Sequence, residues 1–73
     1  MNQVDRVHEY LKMHGTITLP EAANELGVWY LPSRIYEIKK RYAVKITDRF
    51  IDLKNRFGET IKVKEYRLEL PTL

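Results

Sequence analysis

Seventy-three residues, with thirteen basic and ten acidic side chains and no cysteine, make one small domain (1–73) of formal net charge +3, because a chain this short cannot divide into two cores that each hold. A content of 44% apolar and aromatic residues suits a compact fold, and the lack of cysteine removes disulfides, thiolate nucleophiles and cysteine metal sites together. No apolar run approaches the roughly 20 residues that span a bilayer, and no signal-peptide pattern opens the chain, so a soluble cytoplasmic domain without a membrane partner is expected.

The first element reads as a helix from about Asn2 to His14. Val4, Val7 and Leu11 form its apolar stripe, and Gly15 supplies the left-handed residue that ends a helix. Thr16-Ile17-Thr18 is a short extended linker with room for one residue pair of a sheet. A second, short helix follows. Thr18 caps it, Pro20 lies in its first turn where a missing N–H costs nothing, and Glu21 completes a capping box. Leu19, Ala22, Ala23 and Leu26 are its predicted apolar face, and Gly27 is its stop.

The third helix carries Val28, Leu31, Ile35, Ile38 and Tyr42 on one stripe at the helical period. Pro32 is tolerable only in a first turn, so the regular helix starts near Tyr30 or Leu31. Its other face holds Trp29, Tyr30, Ser33, Arg34, Tyr36, Glu37, Lys40 and Arg41, closing on the cluster Lys39-Lys40-Arg41. Beyond Tyr42 the period falls to two. Val44 and Ile46 alternate with Lys45, and Phe50 to Leu53 is strand-like again, with an apolar phase shift that predicts a kink or bulge near Thr47-Asp48. Lys54 to Glu59 has turn chemistry, with Asn55 and Gly58 suited to left-handed geometry. Ile61 to Leu70 is the second strand, with Tyr66, Leu68 and Leu70 on one face and Val63 on the other, ended by Pro71.

Catalysis finds little material. Ser33 is the sole serine and has no base or orienting acid near it in sequence. His8 and His14 stand six apart and share no metal-binding spacing, and the three glycines each explain themselves as a stop or turn. No enzyme, no cofactor and no metal are expected. Charge is distributed unevenly. Residues 1–27 hold Arg6 and Lys12 against Asp5, Glu9, Glu21 and Glu25, a balance of −2, leaving +5 for residues 28–73. That asymmetry reads either as ordinary solvation or as a face presented to a polyanion.

The order of elements favours the second reading. A capped short helix, a tight turn and a longer helix make a helix-turn-helix, at about 18–41, and a basic hairpin follows at about 43–70. A helix fits the major groove, where Arg34 can bond a guanine, Ser33 a base or phosphate, and Glu37 a cytosine amino group. Trp29 and Tyr30 are open to two readings, contact with thymine methyls and sugars or partial burial in the core. Lys40 and Arg41, with Lys39, suit phosphates, which position without specifying sequence; a solvated helix end is the plainer alternative. Lys54, Arg56, Lys62 and Lys64 suit the DNA backbone or a minor groove, although lysines also guard an exposed strand edge. Phe57, at a flexible tip, either contacts a partner or folds back on the sheet.

The segments Thr16 to Ile46 and Asn55 to Leu68 resemble the small helix-turn-helix domains of bacteriophages and prophages. The matching elements are Gly15-Thr16-Ile17-Thr18, Ala23 to Gly27, Leu31 with Arg34-Ile35, Lys39-Lys40, and Tyr66-Arg67-Leu68, so the resemblance covers roughly residues 3–68. It implies an α+β winged helix-turn-helix fold, three helices followed by a β-hairpin wing, that binds double-stranded DNA through its third helix. Tyr42-Ala43 replaces the glycine that commonly ends that helix. Transcriptional regulation in the cytoplasm of a bacterial host is the leading expectation. DNA bending beside a recombinase, or inhibition of a host protein, are the alternatives, and a single module of this size predicts a homodimer or adjacent half-sites.

Overall fold

The computed structural model describes residues 2–69, so Leu70 and Pro71, placed at the end of the second strand by their sequence, lie outside the described residues. Helix α1 spans Gln3–His14 and is capped by Asn2, whose Oδ1 accepts from the Asp5 N–H at 2.8 Å. Gly15 closes it, donating to the Leu11 carbonyl at 2.7 Å. Strand β1 (Thr16–Thr18) leads straight into α2 (Leu19–Glu21). There the expected capping box is present: Glu21 N–H donates to Thr18 Oγ1, while Glu21 Oε1 accepts from the Thr18 N–H at 3.0 Å. The other carboxylate oxygen, Oε2, accepts from the Tyr10 hydroxyl at 2.7 Å. One side chain therefore caps α2 and ties it to α1, and its hydrogen bond is the main reason the Tyr10 hydroxyl is pushed up to about 12.

From Ala22 to Leu26 the helix widens into a π-helical turn. Its wider loop closes on Gly27, whose φ of 69° lies in the left-handed region that side chains resist, and the Val28 N–H reaches back to the Ala22 carbonyl at 2.9 Å. Helix α3 runs Leu31–Tyr42 with Pro32 in its first turn, as the proline requires. Its exit falls on Ala43 at φ 51°, a left-handed residue without the glycine that would relieve it.

Strands β2 (Lys45–Lys54) and β3 (Thr60–Glu69) pair antiparallel, and β1 pairs antiparallel with the other edge of β3, giving the order β1-β3-β2. The sheet thus has three strands. The linker Thr16–Thr18 is a full partner of Glu65–Arg67, a non-local pairing that no local pattern announces. The β2–β3 register runs without interruption from Lys45↔Glu69 to Lys54↔Thr60, so the expected bulge at Thr47-Asp48 is absent. The apolar phase shift has a different cause. Directly paired residues share a sheet face, and Ile46, Leu68, Tyr66 and Ile17 face the helices, whereas Ile51, Leu53, Ile61 and Val63 fall on the opposite face.

The core joins both halves of the chain: Val4, Val7 and Leu11 of α1, Ile17, Ala22, Val28, then Leu31, Ile35 and Ile38 of α3, closed by Ile46, Tyr66 and Leu68. Leu19, expected on the apolar face of α2, is exposed instead. It is the first residue of the helix and precedes the turn that packs inward. Tyr42 is also only partly covered; it lies on His8 with ring centroids 3.9 Å apart and donates to Asp5 Oδ1 at 2.9 Å, joining the end of α3 to α1.

A candidate nucleic-acid interface

Capping at Thr18, the stop at Gly27 and the start at Pro32 fix where α3 begins, and its buried stripe of Leu31, Ile35 and Ile38 turns the other side outward. Trp29 and Tyr30, just before the helix, are 69% and 73% exposed. Neither belongs to the core, so the expectation of partial burial there is not met. Ser33 is exposed one turn further on. Tyr36 is 62% exposed and carries the Lys40 ammonium 5.3 Å from its ring centroid, a cation–π contact that holds both side chains over one face. Tyr36 is the residue that attention to charge and hydrogen-bonding types passed over. Its signal was positional, three residues after Ser33 and four before Lys40.

Arg34 and Glu37 sit differently from two independent base readers. Arg34 Nη1 donates to Glu37 Oε1 at 2.9 Å, its side chain is only 27% exposed, and its Nε is buried without a partner among the described residues. Reaching a guanine therefore requires the guanidinium to exchange one carboxylate for a base edge. Arg41 points toward α1, where it meets Asp5 at 3.6 Å. Lys39 and Lys40 make no ion pair among the described residues.

On the strands, Lys64 lies 3.5 Å from Asp48 and 5.5 Å from the Phe50 ring centroid, while Lys54, Arg56 and Lys62 are exposed with no ion pair among the described residues. The turn bearing Arg56 is ordered by local chemistry. Asn55 Oδ1 accepts from the Phe57 and Glu59 N–H groups at 2.9 and 3.0 Å, and Gly58 takes the left-handed φ of 78°. Gly58 is the one turn residue with left-handed geometry, and Asn55 adds to its side-chain bonds a backbone N–H that donates to the Glu59 carbonyl at 2.9 Å and a carbonyl that accepts from the Gly58 N–H at 3.0 Å. Phe57 does not fold back and stays exposed. Trp29 and Pro32 come together with Lys62 and Lys64 around one groove; Lys54 and Arg56 stand further out, at the turn.

A helix-turn-helix whose second helix leads into an antiparallel strand pair defines a class of small nucleic-acid-binding domain. The chain belongs to the winged helix-turn-helix domain family, whose model matches residues 2–69. No curated protein and no solved structure matches it. The family suggests DNA as the partner.

Proposed function

We propose that this chain is a small phage-type regulator of transcription that binds duplex DNA in the cytoplasm of a bacterial host, with α3 in the major groove and the β2–β3 pair laid as a wing along the backbone. The observation that carries this reading is the outward side of α3, where Trp29, Tyr30, Ser33, Tyr36 and Lys40 form one exposed face behind a fully buried stripe. A helix has the width of a major groove, and aromatic and hydroxyl groups there can meet thymine methyls and base edges. Lys39, Lys40, Lys54, Arg56 and Lys62, free of ion pairs among the described residues, supply the phosphate contacts that position the helix. Binding without chemistry, as a homodimer or on adjacent half-sites, follows from the limited surface of one module. Enrichment of bound duplexes from a random pool tests the reading. One recurring motif that still shifts in excess competitor DNA is expected, and a pool that stays random contradicts it.

A further inference from the structure

A groove of about 610 Å³ lies between α2 and the outer edge of β3. Leu19, Pro20 and Ala23 form one wall, Trp29, Leu31 and Pro32 the floor, and Lys62 to Lys64 with Tyr66 the other wall. Leu19 and Trp29, which both line it, are exposed, and its size falls in the range of about 300–1,000 Å³ that ligand pockets occupy.

Its second wall is an unfinished sheet edge. The Leu68 N–H donates to the Gly15 carbonyl at 3.0 Å, and β1 pairs Ile17 with Tyr66, so the even-numbered residues of β3 aim their backbone groups away from β2. That series continues through Lys64, Lys62 and Thr60. Beyond Thr18, however, the chain has turned into α2, and these outward N–H and C=O groups have no backbone partner among the described residues. An open edge of this kind templates an added strand. From Thr60 to Lys64 it offers about 16 Å at roughly 3.3 Å per residue.

Charge selects the occupant. Of the groove's eleven lining residues two are lysines and none is acidic; Lys62 makes no ion pair among the described residues, and Lys64 lies 3.5 Å from Asp48, outside the lining. A second copy of this chain would bring Phe57, the most exposed large apolar residue among the described ones, on a turn that also bears Lys54 and Arg56, and like charges would meet. We propose that this groove docks an extended acidic segment of another protein, which adds to β3 as a fourth strand in line with β1. An apolar side chain of the segment fills the space between Leu19, Ala23 and Trp29, and its carboxylates meet Lys62 and Lys64. The site shares Trp29 and Lys62 with the DNA-binding face proposed above, so it rests beside that reading and an acidic segment bound there would compete with DNA for the domain.

Two substitutions separate this from a general loss of structure. Leu19→Gln removes the apolar wall at an exposed position, and Lys62→Pro deletes an outward N–H while leaving the β2 ladder, to which Lys62 does not donate, intact. Both variants should melt close to the parent. The probe is a random peptide library selected on the parent chain and counter-selected on Leu19→Gln, with Trp29, the sole tryptophan, as the fluorescent reporter for each enriched peptide. The expected pool alternates apolar residues with Asp or Glu, shifts Trp29 emission to the blue, and binds about tenfold or more weakly to either variant. The proposal is overturned if nothing enriches over the counter-selection, if the enriched peptides are basic or indifferent to charge, or if Lys62→Pro binds them as the parent does. Random-pool DNA enrichment by Leu19→Gln reports on DNA binding separately, so failure of one reading leaves the other standing.

Discussion

Strands β2 and β3 behave as two different structures along one unbroken ladder. At the end next to the helices, Ile46, Tyr66 and Leu68 are buried under α1 and α3. Toward the turn, Phe50 and Phe57 are exposed, Ile51, Leu53 and Val63 are only half covered, and the apolar residues have moved to the opposite face. The base is built by long-range burial and carries the stability of the domain. The outer half is held by its own cross-strand pairs and by the Asn55 turn, and is free to meet a partner. Burial and exposure are thus divided along the strands, much as they are divided between the two sides of α3.

The sharpest way to break this division is to cut a cavity in each half. Ile38→Ala, at a fully buried position, should cost about 2–5 kcal/mol, enough to unfold a domain whose core supplies so little. Ile51→Ala, in the outer half, should cost about 1 kcal/mol or less. Urea melts of the two variants check this, and equal losses would show that the outer half is part of the cooperative core. The second test concerns recognition. Arg34→Ala should cost about 1–3 kcal/mol of DNA affinity and relax preference at one base pair, whereas Lys40→Ala should weaken all sequences alike. Binding to a panel of single-base variants of the enriched site separates the two patterns. If both substitutions act uniformly, Arg34 serves Glu37 and the fold rather than a base.

Smaller effects sharpen the picture at the joints between elements. Glu21→Ala removes half of a capping box and the Tyr10 tie, and should cost about 1 kcal/mol in thermal melts. Ala43→Gly should stabilise by about 0.5–1 kcal/mol, because glycine takes the left-handed exit of α3 without steric cost; no gain would mean that the exit is held by its surroundings at no strain. The smallest effect is one of pH. Burial first, then the Lys12 charge, hold the His8 imidazole below its usual value. The unfolded chain therefore takes up this proton at higher pH than the folded one. The contribution is complete above about 6.5 and is lost as pH falls through that value toward the folded one. His8→Phe, which keeps a ring against Tyr42, should flatten the fall in melting temperature between neutral and mildly acid pH.

Local punctuation was legible in the sequence because its chemistry is local. Gly15, the Thr18–Glu21 box, Gly27 and Pro32 set helix ends by interactions within a few residues, and the structure puts them there. Pairing was less legible. Strand β1 depends on Glu65–Arg67, some fifty residues away in the chain, and the phase change between Ile46 and Ile51 looks the same in sequence whether a bulge or a change of covered face produces it. For the candidate interface, the outward side of α3 was readable from periodicity. What was not readable is which charges are already engaged: Arg34 with Glu37, Arg41 with Asp5 and Lys64 with Asp48. The first is a spacing of three that each residue's separate assignment to DNA obscured, and the other two cross between elements.

The most direct test of DNA recognition by the outward face of α3 and the free lysines is the salt dependence of binding to the enriched duplex, measured for the parent and for Lys40→Ala. With some four to six phosphate contacts, the logarithm of affinity should fall against the logarithm of salt with a slope of about −4 to −5, and Lys40→Ala should reduce that slope by about 1. A flat salt dependence, or a slope untouched by Lys40→Ala, would contradict it.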